Sequence, residues 1–503
     1  MPIATKETTT TITTLGALKS WGYEPCTVKD ELRRNLLAAS ARGVDPFEGI
    51  LGYEDTVIPE LHNAIISRHD ILLIGLRGQA KSRIARSLYL LLDAYVPVVE
   101  GSALNDDPLA PKSKGARDLI AAKGDETPIA WMHRSERYAE KLATPDTNMA
   151  DLIGDIDPIK AANLRLSYAD EEAIHFGIVP RMNRGIFTIN ELPDLQARIQ
   201  VGLLNILEEE DIQIRSFKVR YKLDMVFVFT ANPDDYTNRG AIITPLKDRI
   251  DSQIVTHYPK TLETAVSVTE LEAWSDRDGA GAGIVMPRFV KEIVEWVAIH
   301  ARHSEFVDQR AGVSVRMTRA AHELVISEVE RRMMQSGDHD NHIRILDLYA
   351  MEPAIVGKLE LVYEGEQEGP KNVARHLIGQ AIHTIFVQTY GDPKKDATKD
   401  KFEPIRKWFE RGGDVRLSRN APLVDYEKAL QAVTGLESLV TEHIAGATPR
   451  DLLMQMEFVL EGLAQCSVIA KQDDAAASNY RDFMGSIVGG LDAEDDLDLD
   501  EEI

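Results

Sequence analysis

Residues 75–82 have the residue types and spacing of a loop that binds phosphate groups. In such a loop, backbone N–H groups point at phosphate oxygens, a lysine reaches the β- and γ-phosphates, and the next hydroxyl ligates Mg²⁺. Lys81 and Ser82 hold these two positions. Ala80 stands where the pattern has glycine, which allows positive φ and close backbone approach, so we expect weakened rather than abolished binding. The segment predicts ATP and Mg²⁺ as ligands, with ATP contacts from Gly75, Leu76, Arg77, Gly78, Gln79, Ala80, Lys81, Ser82 and Arg83.

A second polar pair, Asn190 and Glu191, directly follows the apolar run at 185–189. If this run is a buried parallel strand, both side chains lie at the strand's carboxyl end, where open α/β sheets bind ligands. We expect Glu191 to polarise the water that attacks the γ-phosphate. Asn190 occupies the position usually held by an aspartate of the Mg²⁺ shell. Its amide oxygen accepts a hydrogen bond from metal-bound water but adds no negative charge, so we expect lower affinity for Mg²⁺.

Three further polar residues complete the predicted catalytic set. Asn232 ends the apolar strand at 225–231 and is placed to contact the γ-phosphate or the attacking water. Arg249 precedes the last strand and could enter the site of a neighbouring subunit, where it would stabilise charge on the transferred phosphoryl group. Its alternative role is a surface ion pair with Asp248 or Asp251. Arg316 opens a later helix and could reach back to the nucleotide.

The elements that position these residues are short apolar runs alternating with helical patterns from about 46 to 260. Short continuous runs indicate buried strands of a parallel sheet, and their alternation with helices predicts an α/β domain. Beyond 260 the strand patterns stop, and helical spacing dominates 286–302, 316–334, 342–360 and 371–490. We predict an N-terminal extension (1–45), a nucleotide-binding core (46–265) and a helical lid (266–370). An all-helical C-terminal region (371–490) and an acidic disordered tail (491–503) follow. The strand runs are 70–74, 95–99, 185–189, 225–229 and 253–255.

The composition of the chain bears on its cellular location and on the classes of molecule that it binds. The chain has 503 residues, a net charge of -24 and a pI near 5.0, which disfavours non-specific binding to nucleic acid. Its two cysteines provide neither a disulfide framework nor a cysteine zinc site. No run approaches the about 18 consecutive apolar residues of a membrane helix, and the start lacks the features of a signal peptide. We therefore expect a cytoplasmic protein with no nucleic-acid or membrane partner.

The order of these motifs resembles that of AAA+ ATPases, and its details resemble the I subunit of magnesium chelatase and the related MoxR proteins. Residues 46–53 are similar to the family's adenine-side segment, which implies roles for Ile50, Leu51 and Tyr53 in ATP binding. Further similarity lies at 101–118, 151–160, 180–191 and 230–234. The resemblance covers about 46 to 360.

This resemblance implies a five-stranded αβα core, a helical lid and a homo-oligomeric ring, usually a hexamer, with Arg249 acting in trans. It also implies ATP-driven remodelling of a partner protein, including metal-cofactor insertion or complex maturation. Family members work with a von Willebrand A domain, whose D-x-S-x-S motif this chain lacks, so the partner would be a separate protein. Two alternatives remain open: a slow or inactive nucleotide-binding scaffold, favoured by Ala80 and Asn190, and a DNA-acting AAA+ protein.

Overall fold

The computed structural model describes residues 4–165, 171–214, 220–233, 240–278, 283–444, 446–474 and 477–483. The chain divides into two compact units, Met1–Tyr258 and Pro259–Ile503. The acidic tail predicted at 491–503 lies outside the described residues. Within them, no helix is both long and apolar enough to cross a membrane.

The strands of the first unit are β1 (Ile71–Ile74), β2 (Tyr95–Val99), β3 (Ile129–His133), β4 (Tyr138–Leu142), β5 (Gly154–Ile156), β6 (Ile174–Phe176), β7 (Gly185–Asn190), β8 (Asp211–Gln213), β9 (Arg220–Lys222), β10 (Met225–Ala231) and β11 (Ser252–Val255). Five of them form a parallel sheet in the order β11-β1-β10-β7-β4. This sheet and the flanking helices form the predicted αβα sandwich.

Helices cover both faces of this sheet, so its inner strands are apolar on both sides. Side chains alternate between the faces along each strand. Leu72, Phe187 and Phe229 pack into the core on one face, whereas Leu73 and Val228 pack into the core on the other. The α-helices are Lys6–Thr11, Leu15–Ser20, Val28–Ala41, Val57–Ile66, Lys81–Ser87, Lys114–Lys123, Met149–Leu152, Pro158–Leu164, Ile178–Arg181, Ala197–Glu209 and Thr244–Arg249, and the 3₁₀ helices are Leu88–Leu91, Gly124–Glu126, Arg134–Arg137, Glu171–Ala173 and Leu192–Asp194.

The run at 95–99 is a strand, but the prediction that it belongs to the parallel sheet is wrong. β2 instead pairs antiparallel with β3 in a separate two-stranded sheet. The fifth place in the main sheet belongs to β4, at an edge next to β7. An edge strand needs no continuous apolar run, and the half-buried Tyr-Ala-Glu-Lys-Leu sequence of β4 has none. A further pair of short strands, β8 and β9, is antiparallel.

The second unit is mainly helical, as predicted. Its core draws on apolar residues from Ile284 to Tyr480. The segment predicted as one helix at 342–360 contains a 3₁₀ helix and a short α-helix that begins next to Pro353. The α-helices are Leu262–Glu272, Arg288–Ala301, Val315–Ser336, Glu352–Val356, Tyr363–Glu368, Pro370–Tyr390, Lys399–Glu410, Leu423–Gln431, Leu436–His443 and Pro449–Gln465, with the 3₁₀ helix Ile345–Met351.

A three-stranded antiparallel sheet also lies in this unit, where the sequence predicted helices alone. It consists of β12 (Val415–Ser418), β13 (Ala470–Asp473) and β14 (Ala477–Arg481), in the order β12-β14-β13. β13 and β14 contain mostly polar residues, so no apolar run or alternation marks them as strands. Tertiary contacts stabilise them instead: the buried Tyr480 hydroxyl donates to Glu461 Oε2 at 2.6 Å.

Candidate nucleotide-binding site

The predicted phosphate-binding loop connects β1 to the helix Lys81–Ser87, hereafter the P-loop helix. Two residues of this loop have left-handed backbone conformations, Gly78 with φ 76° and Ala80 with φ 55°. Glycine adopts this region freely, whereas a residue with a Cβ atom is strained there by about 1–2 kcal/mol. Position 80 therefore has the backbone that the usual glycine would favour, but the chain places alanine there.

Close packing beneath the loop requires glycine at position 75. A Cβ atom on Gly75 would lie 1.9 Å from Thr256 Oγ1 and 2.3 Å from Gln79 Oε1. The Thr256 hydroxyl donates to Gln79 Oε1 at 2.8 Å, and both residues are buried. This bond ties the loop to the residue that follows β11. Thr256 was absent from the predicted site, although it is a polar residue at a strand end, the signal that identified Asn190 and Asn232.

The adenine-side segment predicted at 46–53 reaches the same loop. The Tyr53 hydroxyl is placed between two carbonyls, Gln79 O at 3.0 Å and His257 O at 2.7 Å. Burial raises the pKa of Tyr53 to about 12, so its hydroxyl remains a neutral donor at physiological pH. Ile50 is also buried and lies in the core with Tyr53, whereas Leu51 is exposed. The structure therefore brings Tyr53, but not the Leu51 side chain, into the loop's packing.

Lys81 and Ser82 begin the P-loop helix. The buried Lys81 ammonium donates to the carbonyl oxygens of Gly75 and, at 3.0 Å, Leu76, so it lies within the loop. The Tyr258 hydroxyl donates to Arg77 O at 3.2 Å, a further tie between the loop and the chain after β11. The side chains of Arg77 and Arg83 are exposed.

Asn190 and Glu191 lie at the carboxyl end of β7, as the sequence predicted. Asn190 Oδ1 accepts a long hydrogen bond from Ser82 Oγ at 3.4 Å and another from Thr230 Oγ1 at 3.2 Å. The Glu191 backbone N–H donates to Thr230 Oγ1 at 3.1 Å, and Glu191 has a left-handed backbone with φ 55°. Thr230, on β10, is a site residue that the sequence did not single out.

The residues present fit a magnesium ion. Mg²⁺ prefers oxygen ligands and usually keeps several waters, with few direct protein ligands. Ser82 Oγ and Asn190 Oδ1 are two such oxygens at hydrogen-bonding distance from one another. No group of three or more His, Cys, Asp or Glu side chains among the described residues could hold a metal by itself. The Ser82 and Asn190 oxygens suit a cation whose remaining ligands are waters and phosphate oxygens.

Asn232 follows β10 and is buried. Its Oδ1 atom accepts no hydrogen bond within the described part of the chain. A buried amide oxygen is costly without a partner, so this atom favours a donor supplied by a ligand or water. A water molecule can supply such a donor, but the predicted contact of Asn232 with the γ-phosphate or the attacking water remains a prediction.

The two predicted arginines lie on other elements, Arg249 in the first unit and Arg316 in the second. Arg249 ends the helix Thr244–Arg249 and forms an ion pair with Glu208, with Nη2 2.6 Å from Oε2, rather than with Asp248 or Asp251. Arg316 is exposed in the first turn of the helix Val315–Ser336, in the second unit. Their roles toward the nucleotide remain predictions.

Comparison with known proteins finds similar solved structures at low sequence identity. No family model and no curated protein matches the chain. Among solved structures, a BchI–BchD magnesium chelatase complex matches at 18% identity and TM-score 0.32, over 64% of this chain and 98% of that one. NtrX from Brucella abortus in complex with ADP matches at 13% identity and TM-score 0.34, over 68% of this chain and 64% of that one. RuvB from Thermotoga maritima, a Holliday junction branch migration motor, matches at 11% identity and TM-score 0.31, over 72% of this chain and 76% of that one. At these identities and TM-scores, functional assignment rests on this chain's own residues.

Proposed function

We propose that this protein is an AAA+ ATPase that binds ATP with Mg²⁺ at residues 75–83 and hydrolyses it. The observation that carries the proposal is the Ser82–Asn190 hydrogen bond. It joins the start of the P-loop helix to the end of β7, where Glu191 lies. This bond supports a site in which a phosphate-binding loop and a strand-end carboxylate act together at the carboxyl edge of a parallel sheet, where such sheets bind ligands.

The proposed roles follow from the chemistry of each side chain. Backbone N–H groups of the loop and Lys81 hold the phosphates, and Ser82 and Asn190 hold the magnesium shell. When bound, Mg²⁺ neutralises charge on the phosphate oxygens. Glu191 orients and polarises the attacking water, and Asn232 hydrogen-bonds that water or the γ-phosphate. The two arginines, Arg249 in trans and Arg316 from the lid, stabilise negative charge in the transition state.

The finer proposal follows the resemblance to the magnesium chelatase I subunit and MoxR proteins. We infer a homo-oligomeric ring that couples ATP turnover to remodelling of a separate protein with a von Willebrand A domain, in metal-cofactor insertion or complex maturation. In this proposal 266–370 act as the lid. Residues 371–490 and the acidic tail are candidates for the partner's docking site.

A nucleotide-binding and turnover experiment tests the proposal. Lys81→Ala removes the cation that reaches the phosphates, so we expect ATP affinity to fall at least about tenfold. Glu191→Gln preserves the shape but removes the carboxylate, so we expect ATP binding to persist while hydrolysis falls about 10²-fold or more. Binding is measured with a fluorescent ATP analogue and turnover by phosphate release. Turnover equal in the wild type and Glu191→Gln would contradict the enzyme proposal.

A non-catalytic scaffold is the second candidate function. The strained Ala80 and the uncharged Asn190 favour it, because both weaken the phosphate and magnesium contacts that hydrolysis needs. It predicts nucleotide binding that Lys81→Ala abolishes, with no turnover above the Glu191→Gln variant. The two measurements above therefore separate the two candidates.

A further inference from the structure

The left-handed backbone at Ala80 needs a cause outside the residue itself. In a loop free to choose, the strain of an alanine at φ 55° would favour a right-handed backbone about tenfold. Glycine adopts both hands about equally and would need no support. Contacts made by neighbouring residues must therefore hold the loop in this conformation.

We propose that Thr256 is a positioning residue for ATP binding. Its hydroxyl holds the Gln79 side chain, and through Gln79 it keeps the loop in the conformation that binds phosphate although position 80 is alanine. This inference rests on the proposed function, since the ligand of the loop is the ATP of that proposal. Thr256 acts through Gln79 and needs no contact of its own with the nucleotide.

The hydrogen bond between Thr256 and Gln79 is short and buried. Thr256 Oγ1 lies 2.8 Å from Gln79 Oε1, and the two residues are only 4% and 6% exposed. The backbone N–H of Thr256 donates to Ile74 O at 2.8 Å, which fixes the residue against the end of β1. Either orientation of the Gln79 amide preserves the bond, because a hydroxyl both donates and accepts. The end of β11 therefore sets the position of the Gln79 side chain.

The main chain of Gln79 is held as well. Its carbonyl oxygen accepts a hydrogen bond from the buried Tyr53 hydroxyl at 3.0 Å. This carbonyl and the Ala80 N–H belong to one planar peptide unit. Relaxation of Ala80 to negative φ would turn that unit, because Lys81 is already fixed in the P-loop helix. With its side chain bonded to Thr256 and its carbonyl bonded to Tyr53, Gln79 resists the turn.

Glycine at position 75 is a consequence of the same bond. The φ of Gly75 lies outside the left-handed region, so its own backbone does not require glycine. A Cβ atom there would instead lie 1.9 Å from Thr256 Oγ1 and 2.3 Å from Gln79 Oε1. The bond thus runs directly beneath Gly75, and the loop is packed around it.

The test is the affinity for a fluorescent ATP analogue in the presence of Mg²⁺. Thr256→Val keeps the shape of the side chain and removes the hydroxyl. Apparent affinity falls with the fraction of molecules in the binding conformation, so we expect binding to weaken about five- to tenfold. Thr256→Ser keeps the hydroxyl and should bind within about twofold of the wild type.

Thr127→Val is the matched control. Thr127 is also buried in the first unit, and its hydroxyl donates to Gly124 O at 2.6 Å. The change removes a comparable hydrogen bond from another part of the unit, so the affinity for the ATP analogue should equal that of the wild type. If Thr256→Val binds the analogue as tightly as Thr127→Val, the inference is overturned.

A second background separates positioning from general damage to the fold. With glycine at position 80, about half of the molecules adopt the left-handed backbone without help, so Thr256→Val should weaken binding only about twofold in the Ala80→Gly protein. General damage would cause the same loss in both backgrounds. Equal losses therefore also overturn the inference.

Gln79→Met tests the bond from its other side, should Thr256→Val show no cooperative urea transition. It removes the polar group that meets the Thr256 hydroxyl, so we expect the same weakening of binding and the same reduction of that effect by Ala80→Gly. A loss that Ala80→Gly does not reduce would overturn the inference. If the wild type itself does not bind the analogue, the proposed function fails, whereas unchanged binding in the variants refutes only the role of Thr256.

Discussion

At the scale of single residues, the chain departs from the usual phosphate-binding pattern at position 80. Ala80 has φ 55° and ψ 13° immediately before the P-loop helix. For an L-residue with a Cβ atom, this conformation costs about 1–2 kcal/mol. The tertiary structure imposes a left-handed backbone on this alanine, and its Cβ atom makes that conformation strained.

Ala80→Gly should therefore stabilise the protein, in contrast to most Ala→Gly changes. Relief of the strain exceeds the extra entropy of glycine in the unfolded chain, so we expect the free energy of unfolding to rise by about 0.5 kcal/mol. We also expect tighter ATP binding. The measurements are urea unfolding and titration with a fluorescent ATP analogue.

The matched control is Ala85→Gly, in the same helix. Ala85 is buried and helical, so glycine there should lower the free energy of unfolding by about 1 kcal/mol or more. Equal losses of stability in Ala80→Gly and Ala85→Gly would show that the backbone at position 80 is not strained.

At the scale of elements, ion pairs connect the helix Val28–Ala41 to residues that directly precede strands of the parallel sheet. Glu31 accepts two hydrogen bonds from Arg137, at 2.7 and 2.6 Å, and both side chains are almost fully buried. Lys29 pairs with the buried Asp70, which directly precedes β1. The segment predicted as an N-terminal extension therefore packs as part of the first unit.

Glu31→Gln should destabilise the first unit strongly. Removing one partner of a buried ion pair leaves the Arg137 charge uncompensated, so we expect a loss of about 3–5 kcal/mol in the free energy of unfolding. Asp125→Asn removes a carboxylate from an exposed pair with Lys19 and should change stability by about 0.5 kcal/mol or less. Similar losses in the two variants, measured by urea unfolding, would contradict the structural role assigned to the buried pair.

At the scale of the whole molecule, the proposed ring makes each site depend on two subunits. Arg249 pairs with the half-exposed Glu208 on its own subunit, and we propose that it serves the site of a neighbour. Arg249→Ala and Glu191→Gln should each hydrolyse ATP at about a hundredth of the wild-type rate or less. Mixing them should restore activity, because a mixed interface combines an intact Glu191 with an intact Arg249.

The control for this mixing experiment is the double variant Arg249→Ala/Glu191→Gln, mixed with Arg249→Ala. No interface in that mixture contains an intact Arg249, so phosphate release should stay at the level of the single variant. Wild-type turnover that does not vary with protein concentration, together with no recovery on mixing, would show that Arg249 does not act in trans.

The sequence alone identified the elements that a continuous run of apolar residues marks within a single segment. β1, β7 and β10 are inner strands buried on both faces, and they are therefore continuous apolar runs readable from single segments. The phosphate-binding loop and the polar ends of β7 and β10 follow directly from those runs. The αβα architecture and the positions of Lys81, Asn190 and Asn232 were predictable for this reason, while their catalytic roles remain predictions.

Only the tertiary structure decided which strand completes the sheet and which side chains surround Asn190. The edge strand β4 is hydrogen-bonded on one side and half-buried, so it carries no apolar run, and the more apolar β2 was predicted in its place. β4 pairs with β7 although more than 40 residues of chain separate them, and Thr256 donates to Gln79 across 177 residues. Such contacts depend on long-range register, which the local pattern of residue types does not encode.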